Sequence, residues 1–393
     1  MKIFFSAGEP SGDLHSASLI RALREQYPNL DLSGFGGHHM QAAGCEILYP
    51  LAEYPVIGFL PVVAQIGRFL KLASEADRLF RQNRPDAVVL VDNPGFNWWI
   101  ARRAKFHGIP VFYFLPPQIW AWATWRVSKM RRFVDHVMCS MPFEERWYHD
   151  RGVNATFTGH PYFDELRHQQ LDAGFLSQHT STPDAPVVGI LPGSRTWEVN
   201  RIFPAYMLVA QRIARDFPAA RFPVACLKQQ HLEFVERQIA AARPAFDIRA
   251  YLGRTPEIIR ASHVCLSKSG SVSLELLYHT KPSTILYQIS RFDYYSTYRP
   301  LRGVGLMAAK YITLVNLLAD RELFPEFVSC GDVSEPISRH ILQWLQNPAA
   351  HAEIVAELAH LKARVAQHGA TARTAQYILQ SLGVLATSQR VAA

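Results

Sequence analysis

The sequence predicts an α/β protein built from two Rossmann-like domains in tandem and closed by a carboxy-terminal helical segment. Three observations carry this expectation. The chain has 393 residues, beyond the size at which one hydrophobic core usually keeps growing. Through the first half, apolar strand-like runs alternate with helical patterns, the rhythm of parallel βαβ units. After a polar break the same rhythm restarts, and beyond Asp332 it gives way to helical periodicity alone. With 49% apolar and 19% charged residues, the composition suits a packed protein rather than a disordered one.

In chain order, the first-half strand candidates are 2–7 (KIFFSA), 31–35, 87–92, 110–115, 136–141 and 155–158. Between the first two, Leu14, Ala17, Ile20, Leu23 and Tyr27 recur at helical spacing, and Pro28 ends the pattern. From Asp164 to Pro186 the composition turns polar and finishes in TPDAP, which reads as an interdomain linker. Strand candidates resume at 187–191, 222–227, 248–252, 263–267 and 283–288. The expected division is a first domain over 1–165, a linker over 166–186, a second domain over 187–345 and helices over 346–393. Those last helices either pack back on the fold or swap between the partners of a homodimer.

The formal charge of +8 favours anionic partners: phosphates, nucleic acid or an acidic membrane face. No nucleic-acid partner is expected, because basic residues form only short clusters such as Lys129, Arg131 and Arg132, without an RNP, helix-turn-helix or zinc-finger pattern. The five cysteines are widely spaced, never CxxC, and have no metal-spaced histidine nearby. Buried free thiols in a reducing compartment follow, with no metal site. Met1 leads straight into a strand-like run, without the regions of a signal peptide, so the expected residence is cytoplasmic.

The stretch 54–67 (YPVIGFLPVVAQIG) is shorter than the roughly 20 residues a spanning helix needs, and it holds Pro61. Arg68 and Lys71 follow at once. Val56, Phe59, Leu60, Val62, Val63, Ile66 and Phe69 therefore suit a helix that lies on a membrane surface or covers a lipid chain. A buried core helix has the same composition.

Four segments carry chemistry. The first strand runs into Gly8, Glu9, Pro10, Ser11, Gly12 and Asp13 and then a helix, a glycine-bearing turn at the carboxyl edge of a sheet. It is neither GxGxxG nor a Walker loop. An acidic loop holds phosphate poorly and orients sugar hydroxyls well, although an ordinary tight turn has the same spacing. Asp92 closes the apolar run 87–91 and precedes Asn93, Pro94, Gly95, Phe96 and Asn97. A carboxylate at a strand's carboxyl end can take a proton from a hydroxyl nucleophile; it can equally cap the following helix. His15, close to the first loop, is an outlying candidate base.

In the second half, Gly193 and Ser194 can offer backbone N–H groups at a helix start, and Arg195 adds a fixed positive fork for a diphosphate. An exposed arginine in a simple salt bridge is the alternative. Ser269, Gly270, Ser271 and Ser273 build a second such turn, with Glu275 one turn into the helix and able to accept both hydroxyls of a ribose. Two phosphate-friendly turns in one domain imply a nucleoside diphosphate. Among the aromatics, Phe112 and Phe114 are expected in the core, while Trp98, Trp99, Trp120, Trp122 and Trp125 suit either a core or an interface.

Taken together the motifs resemble those of the lipid-A-disaccharide synthases. The matching segments are GEPSGD (8–13), GGHHMQAAGCE (36–46), VDNPGFN (91–97), PPQIWAW (116–122), MPFEERWY (141–148), GHPYFDE (159–165), LPGSRTWEV (191–199), SGSVSLE (269–275) and NLLADRELFPEF (316–327). They span nearly the whole chain in the family's order.

The resemblance implies a GT-B glycosyltransferase with an inverting, metal-independent reaction and no cofactor. UDP-2,3-diacylglucosamine would donate to 2,3-diacylglucosamine 1-phosphate, giving lipid A disaccharide 1-phosphate and UDP at the cytoplasmic face of the inner membrane. It assigns UDP to Gly193, Ser194, Arg195, Ser269, Gly270, Ser271, Ser273 and Glu275, and adds Asn316, Arg321 and Glu322 as donor contacts. It assigns the acceptor to Gly8, Glu9, Ser11, Gly12, Asp13 and Asn97, with Asp92 and Arg195 as the catalytic pair. The chain departs from the family at Gly95, usually Asp, at His15 and Ser16, usually small, and at Gln288, usually basic. Two rivals share the architecture: a UDP-N-acetylglucosamine 2-epimerase-like enzyme and a catalytically silent lipid- or nucleotide-binding protein.

Overall fold

A computed structural model describes residues 1–53, 66–303 and 310–385. The chain divides into two units: Met1–Glu165 with Gln367–Ala393, and Leu166–Ala366.

The first unit holds β1 (Lys2–Ala7), β2 (Asp31–Phe35), β3 (Glu46–Tyr49), β4 (Ala87–Val91), β5 (Val111–Phe114), β6 (His136–Cys139) and β7 (Ala155–Phe157). They pair in the order β3-β2-β1-β4-β5-β6-β7, all parallel. Successive side chains of a strand point to opposite faces, and both faces here are covered. Val88 and Leu90 join Phe4 and Tyr113 in one apolar cluster, while Val89 and Val91 join Phe5, Phe112 and Phe114 in another. Every residue of β4 is therefore buried, which is why its sequence reads as an unbroken apolar run.

The helix Ala370–Ser381 closes this unit, burying Ala375, Ile378 and Leu379 in the second cluster. Its amino end is held from afar: Asp164 accepts from the backbone N–H of Gly369 at 2.6 Å and of Thr371 at 3.0 Å. Arg373 adds a bond to the Thr158 carbonyl. The segment 346–393 is thus not one block, because the helix Pro348–Val365 falls in the second unit and Ala370–Ser381 in the first.

The second unit holds β8 (Val188–Leu191), β9 (Arg221–Cys226), β10 (Asp247–Leu252), β11 (Val264–Lys268), β12 (Ser283–Gln288) and β13 (Glu326–Ser329), in the parallel order β10-β9-β8-β11-β12-β13. The long helix Thr196–Asp216 packs on it through Val199, Ile202, Phe203, Tyr206 and Val209. Residues 166–186, expected as a linker, belong to this unit and carry the helix Ala173–Gln178. Asp172 caps that helix through Phe175 N–H and pairs with Arg254 at 3.0 Å. A polar composition hides such order, since its partners lie some eighty residues away.

Two strands escape the sequence pattern, β3 and β13. Both are short edge strands with no fully buried residue, so neither carries an apolar run. Cys45, Cys139, Cys226 and Cys265 are buried free thiols, and Cys330 is half-buried.

Candidate active site

In each sheet the strand order reverses beside the unit's first strand, between β1 and β4 and between β8 and β11. Ligand crevices of open parallel sheets form at that reversal, outside the carboxyl ends of the strands. All four candidate segments follow those four strands.

In the first unit the turn after β4 is strained. Asp92 and Asn93 both lie in the left-handed region, at φ 49° and 38°, a conformation that costs side-chain-bearing residues about 1–3 kcal/mol each. Buried polar groups hold it there. Asn97 Nδ2 donates to the Asp92 carbonyl at 2.8 Å and the Val91 carbonyl at 3.1 Å, Tyr113 Oη donates to the Asp92 carbonyl at 2.7 Å, and Ser6 Oγ donates to Asn97 Oδ1 at 2.7 Å. The turn also explains Gly8, where a Cβ would fall 1.7 Å from Asn93 Nδ2.

Two of the expected acceptor residues are taken up by hydrogen bonds within the unit. Asn97 is fully buried and occupied by the turn. Asp13 is 2% exposed and accepts from the N–H groups of Gly37, His39 and Met40 at 2.8–3.1 Å, capping the helix His38–Ala42. Glu9 is half-buried at the start of the helix Pro10–Gln26, Ser11 is exposed on its first turn, and Gly12 is buried against Val91 and Asp92. The Asp92 carboxyl is half-buried. Desolvation raises its proton affinity above the ordinary carboxylate range, against the Asn93 N–H and the charge of His15.

In the second unit Gly193 sits at φ 132°, and a Cβ there would lie 2.6 Å from Glu198 Oε2. Glu198, 1% exposed, folds back on the turn: Oε2 accepts from Ser194 N–H at 3.0 Å and Arg195 N–H at 3.1 Å, and Oε1 accepts from Lys268 Nζ at 2.7 Å. The Ser194 N–H expected to face a phosphate is thus satisfied inside the protein. The Arg195 side chain, 46% exposed and 3.7 Å from Glu198, stays at the surface of the turn. The spacing of Arg195 and Glu198 is that of a capping box, the signal that could have found this carboxylate.

The second turn is likewise tied down. Ser269 Oγ donates to the Ile312 carbonyl at 2.6 Å and Ser273 Oγ to the Gly270 carbonyl at 2.8 Å; each hydroxyl keeps lone pairs for other donors. Gly270 is half-buried, Ser271 is exposed, and Glu275 is 3% exposed.

Asn316 is a buried hub rather than a surface contact. Its Nδ2 donates to the Phe324 carbonyl and to Glu326, and its Oδ1 accepts from Leu323 and Phe324 N–H, all at 2.7–2.9 Å. Arg321 pairs with Glu357. Glu322 is exposed and borders a cavity of about 790 Å³ whose walls include Tyr294, Tyr298, Arg299, Lys310 and Tyr311.

Of the lipid-contact candidates, Val56, Phe59, Leu60, Val62 and Val63 lie outside the described residues. Ile66 is 45% exposed, whereas Phe69 packs on Phe96 at 5.4 Å and turns towards the core. Phe112 and Phe114 are core residues, and Trp120 is buried with its Nε1 donating to Glu144. Trp99 and Trp125 are exposed.

Two parallel α/β units with polar turns at both strand-order reversals define a GT-B type fold, and solved structures agree. The S. aureus MnaA–UDP complex superposes with a TM-score of 0.67 at 10% identity, over 98% of this chain and 97% of that one. CalG4, the calicheamicin glycosyltransferase, gives 0.59 at 15% over 97% and 98%. Such low identities speak for the fold alone.

Sequence is more specific. The family model described as lipid-A-disaccharide synthetase matches residues 3–380. The lipid-A-disaccharide synthase of Myxococcus xanthus (strain DK1622) is 31% identical over 97% of both chains, and that of Anaeromyxobacter dehalogenans (strain 2CP-1) 34% identical over 96% of this chain and 97% of its own. The chain belongs to the lipid-A-disaccharide synthase family and is a glycosyltransferase of lipid A biosynthesis.

Proposed function

We propose that this enzyme transfers a 2,3-diacylglucosamine unit from UDP to the 6-hydroxyl of 2,3-diacylglucosamine 1-phosphate, with inversion. The observation that carries the reading is Asp92, a carboxylate of raised proton affinity clamped in a strained turn at the strand-order reversal. A general base near that position must bind a proton readily without moving. Inversion needs one such base and a stabilised leaving group. Arg195 supplies positive charge to the departing diphosphate, and the surface hydroxyl of Ser271 with its neighbours Ser269 and Gly270 faces the nucleotide. Glu9 and Ser11 orient acceptor hydroxyls.

The test is an assay of the purified chain with both acylated substrates, read by mass spectrometry for the β-linked disaccharide and UDP. Formation of an epimer from UDP-N-acetylglucosamine alone, with no disaccharide from the acylated pair, would overturn the proposal in favour of the epimerase rival.

The second part of the reading is peripheral attachment to the cytoplasmic face of the inner membrane. Among the described residues no helix is long and apolar enough to cross a bilayer. From Asn93 to Val134 the sequence contains no Asp or Glu, yet it holds Arg102, Arg103, Lys105, Arg126, Lys129, Arg131 and Arg132. Exposed aromatics lie among them: Trp99 with Arg103 over its ring, Phe106 and Trp125. Aromatic side chains beside cations suit an anionic lipid surface. Flotation with vesicles containing anionic lipid, and none with neutral vesicles, is the expected result; equal recovery with both would remove the electrostatic part.

A further inference from the structure

The proposed chemistry uses neither of two adjacent histidines, His38 and His39, which open the helix His38–Ala42 after β2. His38 is exposed and His39 half-buried, and their ring centroids lie 4.0 Å apart. Among the described residues neither ring makes a hydrogen bond. Elsewhere in the chain histidine rings are tied down: His107 bonds to Asp77, His149 to the Ala155 carbonyl and His179 to Tyr251. A neutral imidazole without such a partner offers a nitrogen lone pair, and histidine is the commonest metal ligand among side chains.

Asp13, on the first turn of the helix Pro10–Gln26, supplies a third donor. Its Oδ1 accepts from Gly37 and Met40 N–H, whereas Oδ2 accepts only from His39 N–H, at 3.0 Å. A carboxylate has about four lone-pair sites, so one on Oδ2 stays open. Gly37 keeps that side clear, since a Cβ there would lie 2.7 Å from Oδ2. The donor atoms of Asp13, His38 and His39 all lie within 4.8 Å of one another, the one such group among the described residues. Zinc bonds of about 2.0–2.1 Å at tetrahedral angles set donors about 3.4 Å apart. A turn of the exposed His38 ring closes the difference, and the three backbone N–H groups already orient the carboxylate. Cysteine spacing gave no hint of this group, which uses no cysteine and draws Asp13 from 26 residues before His39.

We propose that Asp13, His38 and His39 form a binding site for a divalent transition cation, with Zn²⁺ the best fit and water in the fourth position. Two imidazoles and one carboxylate match the nitrogen and oxygen ligands that zinc takes. A single carboxylate oxygen suits Mg²⁺ and Ca²⁺ poorly, since both prefer shells of oxygen. The bound cation ties the start of the helix Pro10–Gln26 to the turn after β2 and so braces the helix end that bears Glu9 and Ser11. No step of the sugar transfer runs through it.

The experiment is a Zn²⁺ titration of the full-length chain, first stripped with chelator, followed by calorimetry and by melting temperature. One equivalent of Zn²⁺ per chain should bind, and the melting temperature should rise with it. His38→Gln and His39→Gln should each weaken binding by more than the roughly 10- to 100-fold that loss of an outer-shell partner costs. Both should melt like the metal-free wild type. Co²⁺ in place of Zn²⁺ should give visible absorption that either variant removes. His351→Gln, at the stacked pair His263–His351 of the second unit, should bind as the wild type does. Less than one equivalent bound, or equal affinity in the wild type and both His38 and His39 variants, would overturn the site. Binding with no rise in melting temperature would overturn the brace. If one of the two variants fails to fold, the other decides.

Discussion

The two units share one six-strand parallel order, to which the first adds β7, yet set groups of opposite charge at the strand-order reversal. In the first, a carboxylate rests on a strained backbone that Asn97, Tyr113 and Ser6 hold from within the core. In the second, strain is avoided by Gly193, and a buried carboxylate, Glu198, neutralises the turn's own N–H groups and Lys268, leaving Arg195 at the surface. One turn carries a carboxylate and the other leaves a guanidinium at its surface. The fold gives each unit the crevice, and the hydrogen bonds beneath each turn give it its sign.

The comparison breaks first at Asp92. Asp92→Asn is expected to lower kcat by about 10²- to 10⁴-fold with UDP affinity unchanged by calorimetry; wild-type turnover would leave the first turn without a chemical role. Arg195→Ala is the matching change on the other side. It should weaken UDP binding by about 1.5–3 kcal/mol, the range of a hydrogen bond to a charged group; unaltered affinity would remove the guanidinium from the diphosphate.

Two changes sharpen the contrast in how the turns are built. Gly193→Ala forces a Cβ into Glu198 at a positive φ, and urea unfolding should show a loss of at least about 1 kcal/mol. Tyr113→Phe removes one of the bonds on the Asp92 carbonyl and should cost about 1 kcal/mol, with kcat falling more than nucleotide affinity. A variant equal to wild type in both would show that Asn97 holds the turn unaided.

The smallest effect is on acid stability. Burial lowers the pKa of His160 to about 3 in the first unit, and those of His263 and His279 to about 4 in the second. Unfolded histidines titrate near 6.5, so between those values the unfolded chain binds more protons. Stability therefore rises with pH across this window and is lost as pH falls from about 6.5 towards 4. His160→Gln should flatten part of that slope in a melting-temperature series; an unchanged slope would assign it to the other histidines held low by burial, among them His136, His263 and His279.

Eleven of the strands lie where the strand-like runs and their flanking turns predict them; one covered on both faces, such as β4, is apolar throughout. The edge strands β3 and β13 give no such signal. The place of Asp92, Gly193 and Arg195 in turns just past a strand was legible in the local pattern. Glu198 and Lys268 were not read, nor was the bond between His15 and Glu165, although the capping-box spacing made Glu198 readable.

By itself the sequence determined two parallel sheets and the four turns at their carboxyl edges, since both follow from local periodicity and glycine placement. Tertiary structure alone decided which polar residues in those turns are spent and which face outward. Asp13, Asn97 and Asn316 look like substrate ligands in the chain but are satisfied by backbone groups that folding brings to them. Asp164 binds a helix 205 residues further on. A buried polar atom must find a partner wherever the fold supplies one, and that partner has no fixed distance along the sequence.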